Sequence, residues 1–331
     1  YSYRYWPKDP KNTWCGLNVY AIDGSKQNLP ASDEIRSFFD SKSGLDVSGK
    51  GHYPQCLVST AYDCFRQIPI ARTIVNILGS ERQELSHLVP KIPAKGLIIT
   101  DRGYPGFEMF RWLKANYDGF FFIRLHKKLS LQIVDFMNSG KKDQVIYLRQ
   151  PKDFKPKFFG KSIEKDKQIK IRLIQVDGPG KEPHFYACNL FNKFKYTYRS
   201  ITQLYKHRWE VESYYRDEKL SHEIRKVHGK SVNAVLQDYY AAAVMSLLTR
   251  FLSAGMGYET KKHTVGGQFK HGLKTLSFLI PELLLNRISE FIEKFLTLLL
   301  VEKYYRPKVE RRSQPRLNKA ARNKWQRYNC V

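Results

Sequence analysis

Residues 96–125 read GLIITDRGYPGFEMFRWLKANYDGFFFIRL. The run Gly96–Thr100 is short, continuously apolar and ends at Asp101. Such a run suits a central strand covered on both faces. Within residues 106–117, Phe107, Phe110, Leu113 and Tyr117 recur at helical spacing. Residues 119–125, GFFFIRL, are again strand-like. Strand, helix and strand over about thirty residues make a βαβ unit, whose two strands lie parallel through a right-handed crossover.

Upstream, residues 14–22 (WCGLNVYAI) read as a strand that ends in a turn at Asp23-Gly24. Residues 24–53 read as a loop with one helical turn around Ile35–Phe39. Residues 55–62 and 64–75 read as two further strands joined by a tight turn near Asp63, completing an antiparallel meander. Pro69 places the third strand at a sheet edge, where a missing N–H is tolerated. Ser80-Glu81-Arg82-Gln83 opens a helix reaching about Leu88.

Downstream, residues 127–190 hold strand-like segments Val145–Leu148, Ile169–Val176 and His184–Cys188 between Lys-, Pro- and Gly-rich turns. They read as a β-rich insertion. Val232–Leu252 is a long apolar helix, KKHTVGGQFKHG a basic loop, and 273–302 one or two helices. The predicted division is 1–126 for the first part of an α/β core, 127–192 for the insertion and 193–256 for the rest of the core. A helical region over 257–302 and a loosely ordered basic tail over 303–331 complete it.

Lys and Arg number 57 against 31 acids, a formal charge of +26. That excess points to a polyanionic partner. The basic residues are spread over the chain rather than along one amphipathic helix, which disfavours a membrane surface. The apolar stretch 276–301 is broken by Glu282, Arg287, Glu290, Glu293 and Lys294 and reads as a helix pair. The five cysteines are scattered and form no Cys-x-x-Cys, which reads as a reducing compartment without a zinc site. The chain opens YSYRYWPK, without Met, so a segment before residue 1 is expected.

The chemistry is suggested by residues 200–219, SITQLYKHRWEVESYYRDEK. Tyr205, Arg208, Glu212 and Lys219 are separated by steps of three, four and seven residues. At roughly 100° per residue these four share one helical face, with Arg216 on the same stripe. Taken alone the face reads equally as a surface ion-pair network. Asp23 ends the first strand and Asp101 the fourth, neighbours at the centre of the predicted sheet. A helix across that edge would bring Glu212 to both. Three converging carboxylates repel one another, and a pair of divalent cations relieves that repulsion.

At these residues the chain resembles the bacterial insertion-sequence DDE transposases with a Tyr-Arg-Glu-Lys signature. Tyr205, Arg208, Glu212 and Lys219 match that signature's spacing. AIDGS around Asp23 and IITDRGY around Asp101 match the contexts of the family's two Asp residues. The resemblance covers roughly residues 14–250. It implies a ribonuclease H-like mixed sheet, antiparallel meander then βαβ, with a β-rich insertion and C-terminal helices. It also implies DNA cleavage at transposon ends and strand transfer into target DNA. The metal ligands would be Asp23, Asp101 and Glu212, holding two Mg²⁺ ions for which Mn²⁺ can substitute. Tyr205, Arg208, Lys219, Arg216 and Arg102 would contact DNA. The partner would be double-stranded DNA, engaged as a homodimer, in the bacterial cytoplasm at the nucleoid. Relatives stack a flipped base on an aromatic of the insertion, where this chain offers Tyr147, Phe154, Phe158 and Phe185. The rival readings are an inactive or truncated relative that only binds DNA and a structure-selective nuclease on the same fold.

Overall fold

The computed structural model describes residues 12–41, 53–126, 129–152, 154–159, 167–178, 182–221, 229–253, 258–259, 263–301 and 303–307. The fold is mixed α/β, built on an eight-stranded sheet. Strands β1 (Val19–Asn28), β2 (Gln55–Asp63) and β3 (Ile68–Asn76) form the antiparallel meander. Strands β4 (Leu97–Thr100) and β5 (Phe120–Arg124) run parallel to β1. The spatial order β3-β2-β1-β4-β5 continues into β8 (Pro183–Cys188), β7 (Gln168–Asp177) and β6 (Asp143–Arg149). The three strands read as an insertion therefore prolong the main sheet, with β8 antiparallel to β5.

Period-two alternation sends neighbouring β1 residues to opposite faces. Val19 and Ala21 join one core with α1 (Asp33–Phe39), α5 (Tyr198–Leu204), α6 (Trp209–Ser221) and α7 (Val232–Ser253). Tyr20 and Ile22 join the other with α2 (Glu81–Leu88), α3 (Phe107–Asn116) and α4 (Leu131–Asn138). Helices thus cover both faces of the central strands, which is why β4 is wholly buried and wholly apolar up to Thr100. A smaller core joins α8 (Phe269–Leu284) to α9 (Ile288–Val301) and the end of α7. The strands β9 (Tyr258–Glu259), β10 (His263–Gly267) and β11 (Lys303–Pro307) make a second sheet.

Pro69 lies on the edge strand, and the ladder register shifts beside it at Ala61/Tyr62. The β2–β3 turn is shaped by Asp63, whose Oδ1 accepts from the Phe65 and Arg66 amides at 3.0 and 2.9 Å.

Five local expectations are corrected. Asp23-Gly24 is not a turn: β1 continues to Asn28 because β2 supplies ladder partners from Asp23↔Thr60 to Asn28↔Gln55. The predicted single helix over 200–219 is α5, a 3₁₀ turn at Tyr205–Arg208, and α6. The stretch read as β-rich also contains the helix α4. The basic loop before 273 holds β10 and the start of α8, and the tail begins as β11, because Lys303–Pro307 pairs with His263–Gly267. The rest of the tail and residues 1–11 lie outside the described residues.

Candidate active site

The parallel register ends at Ala21↔Ile99. Two residues further along each strand stand Asp23 and Asp101, so the two acids sit side by side at the C-terminal end of β4. They also share the parity of Val19, Ala21, Leu97 and Ile99, the face on which α6 packs. Asp101 is held by a turn in which its Oδ1 accepts from the Gly103 amide at 2.7 Å.

Two contacts lock α6 to the sheet. The Tyr215 hydroxyl donates to the carbonyls of Asp23 at 2.9 Å and Val58 at 3.1 Å. Arg72 of β3, 7% exposed, reaches Glu218 at 2.5 Å and the Tyr214 hydroxyl at 2.7 Å. These contacts hold the helix that carries Glu212 against the strand that carries Asp23. The bridge between them is Arg208, whose guanidinium is 3.5 Å from Asp23 Oδ2 and pairs with Glu212. Arg208 is buried among aromatics, with its guanidinium carbon 4.8 Å from the Trp209 ring centroid and 5.6 Å from that of Tyr205.

Burial dominates the electrostatics, with neighbouring acids adding to it. The Asp23 carboxyl is pushed up to about 7, first by burial, with Glu81 and Asp101 adding to the rise and Arg208 opposing it. Glu81 is raised by burial and by Asp101, against Tyr104 and Lys26. Burial pulls Arg208 down, but Tyr205, Glu212 and Asp23 together hold it above its ordinary value.

Of the eight residues singled out from sequence, Arg208 links Asp23 to Glu212 and Asp101 acts on Asp23, but the three acids are not brought within reach of one metal ion. Tyr205 is buried against Tyr186 and Phe122, with Arg124 over its ring. The 3₁₀ turn tightens the backbone at Tyr205–Arg208 and so alters the angular relation assumed for a continuous helix. Arg102 and Arg216 are exposed. The side chain of Lys219 lies outside the described residues. Of the four insertion aromatics, Phe154 packs on Phe107 and Phe185 is buried, whereas Tyr147 is exposed. Phe158 lies under Arg82, with 5.1 Å between guanidinium carbon and ring centroid.

Sequence reading missed Glu81, Arg82 and Arg124. The first two look like an ordinary helix start and the third like a strand end. Only the position of α2 beneath β1 and of β5 beside β4 brings them in.

Among the described residues, no three His, Cys, Asp or Glu side chains stand close enough to share a metal ion. The three acids expected as ligands, Asp23, Asp101 and Glu212, are all carboxylates, a donor type that suits a hard divalent cation. The Asp23 carboxyl is raised first by burial, which penalises its charged form, and a bound cation would favour that form. No described helix is long and apolar enough to cross a membrane.

Residues 15–248 match the family described as the transposase DDE domain. Transposase InsG for insertion sequence element IS4 of Escherichia coli (strain K12) is 23% identical over 255 residues. That alignment covers 76% of this chain and 56% of InsG, so the chain spans little more than half the length of this relative. A cryo-EM structure of the piggyBac transposase synaptic complex with hairpin DNA aligns with a TM-score of 0.46 at 9% identity. It covers 84% of this chain and 54% of the piggyBac chain.

Proposed function

The chain belongs to the transposase DDE domain family, and from that premise we propose that it is the catalytic part of a DNA transposase. It cleaves DNA at transposon ends and transfers the freed strand into target DNA. Asp23, Asp101 and Glu212 are the metal ligands in this reading. The observation that carries it is the placement of Asp23 and Asp101 two residues beyond the last paired residues of adjacent parallel strands, with Glu212 tied to Asp23 through Arg208. The strand order β3-β2-β1-β4-β5, antiparallel then parallel, supports a ribonuclease H-like core over 1–126 and 193–256. On this reading 127–192 is an insertion within the core, 257–302 a helical region and 303–331 a basic tail.

Two divalent cations, Mg²⁺ or Mn²⁺, would activate the attacking oxygen and stabilise the leaving one. The protein's own groups do the rest. Asp23 and Asp101 are held rigidly by the β1–β4 register. Glu212 rides on α6. Arg208 offers fixed N–H donors suited to a phosphate oxygen once its carboxylates have turned to cations. Tyr205, Arg102, Arg216 and Lys219 extend that contact along DNA, with Arg124 beside Tyr205. The aromatic of the insertion best placed for a displaced base is Phe158, under Arg82. The substrate is double-stranded DNA, engaged by a homodimer in the cytoplasm at the nucleoid.

The test uses supercoiled plasmid carrying the inverted repeats that flank the gene. Glu212→Gln and Asp101→Asn should each abolish Mg²⁺-dependent nicking while gel-shift retention of the same DNA stays near normal. Equal loss of cleavage and retention would assign these acids a structural role. Nicks without joined products would instead identify a nuclease.

A further inference from the structure

We propose that Arg124, at the end of β5, grips a phosphodiester of the DNA strand beside Asp101, and does so before any metal ion is bound. This rests on the reading of Asp23 and Asp101 as catalytic acids.

The first observation is one of register. Ala21 of β1 pairs with Ile99 of β4, and Ile99 with Phe122 of β5. All three belong to the core shared with α6. Asp23, Asp101 and Arg124 each stand two residues further along their strands, with the same parity. The row at this end of the sheet therefore reads acid, acid, guanidinium. On its other side Arg124 pairs with Tyr186 of β8.

The second is the company Arg124 keeps. Arg66, Arg72, Arg172 and Arg208 each lie within ion-pair distance of a carboxylate. Arg124 is half-buried, and among the described residues no carboxylate lies within that distance of it. Its neighbours are phenols and an imidazole. Burial first, and Arg124 next, pulls His184 down, against Glu182. Burial and Tyr205 raise the Tyr186 phenol, and Arg124 opposes them.

The third is the tie to the acids through Tyr205. The guanidinium carbons of Arg124 and Arg208 lie 5.7 and 5.6 Å from the Tyr205 ring centroid. Both cations oppose the rise that burial imposes on the Tyr205 phenol, and Asp101 adds to it. Two guanidiniums thus flank one ring, but they are not equivalent. Arg208 is already divided between Asp23 and Glu212. Arg124 keeps a planar fork of N–H donors that no acid neutralises, a geometry that matches a phosphate.

The experiment follows binding of fluorescent duplex DNA, carrying the inverted repeats that flank the gene, to the 331-residue chain in EDTA over a series of salt concentrations. Arg124→Gln should weaken binding about tenfold or more. It should also make the salt slope shallower by roughly 0.9, the share of one phosphate contact. Arg124→Lys should keep the parent's slope, because the charge remains, with an affinity between the two. Lost packing on Tyr205 alone would leave the slope of Arg124→Gln unchanged. A second measurement needs no variant: phenylglyoxal modification of the parent, mapped by mass spectrometry, should show Arg124 shielded by the same DNA in EDTA. An unchanged slope in Arg124→Gln, or equal modification with and without DNA, overturns the proposal. If that happens while Asp101→Asn still abolishes nicking with DNA retained, Arg124 falls and the catalytic reading stands. If Asp101→Asn nicks as the parent does, the catalytic reading falls and the placement of Arg124 beside a reacting strand falls with it.

Discussion

Arg208 shows how much one side chain carries. It is 5% exposed, yet it faces two acids, and two aromatic rings flank it. Its charge opposes the burial that raises the Asp23 carboxyl. Arg208→Met should therefore destabilise the metal-free protein by about 2 kcal/mol or more, and millimolar Mg²⁺ should narrow that deficit. Melting curves with and without Mg²⁺ decide this; a deficit that ignores the cation would make Arg208 a packing residue only. Asp143, far along the sheet on β6, is the contrasting case. Burial raises its carboxyl, but Arg172 and Lys193 together hold it below the ordinary value. A carboxyl depressed on folding stabilises the protein above its unfolded pKa of about 4, and that contribution is lost as pH falls through the folded value. Asp143→Asn should flatten the acid limb of stability below about pH 4, read from urea midpoints; an unchanged limb would exclude the pair as its source.

At the scale of elements, the site is a problem of holding α6 against the sheet. Val211 and Tyr215 supply the apolar contact, and the Tyr215 hydroxyl caps two strand carbonyls. The polar anchor is the buried cluster of Arg72, Tyr214 and Glu218, one turn and a half beyond Glu212. Removing one charge from such a pair leaves the other buried and uncompensated, at a cost of about 3–5 kcal/mol. Arg72→Met should show a loss of that size in urea unfolding, and Arg72→Met combined with Glu218→Gln should recover much of it. A double variant as unstable as the single would refute the coupling. The 3₁₀ turn ahead of α6 belongs to the same scale. It lets α5 bury Ile201 and Leu204 while Arg208 turns toward Asp23.

Over the whole molecule the excess of positive charge sets how the DNA of the proposed function would be met. Neutralising phosphates releases counterions, so affinity falls with salt at a slope of roughly −0.9 per contact. Residues 308–331 carry eight Lys or Arg and one Glu, and β11 ends at Pro307. A chain cut after Pro307 spares the second sheet and should bind DNA with a shallower salt slope; an unaltered slope would show that the tail takes no part. The sequence by itself determined the sheet's order of events: the apolar run before Asp101, the helical spacing after it and Pro69 at an edge are local patterns, and local patterns survive in a linear string. It also marked Asp23, Asp101, Arg208 and Glu212 by their contexts and spacing. It could not reveal that Asp23-Gly24 is strand, because that ladder is completed by Thr60 and Ser59, or that His263–Gly267 is strand, because its partner is forty residues away. Nor could it reveal Glu81, whose carboxyl is brought beside Gly24 by the packing of α2 under β1. Side-chain type and period are properties of neighbours in the chain, whereas the convergence of charge at one sheet end is a property of neighbours in space, and only the packed tertiary structure decides those.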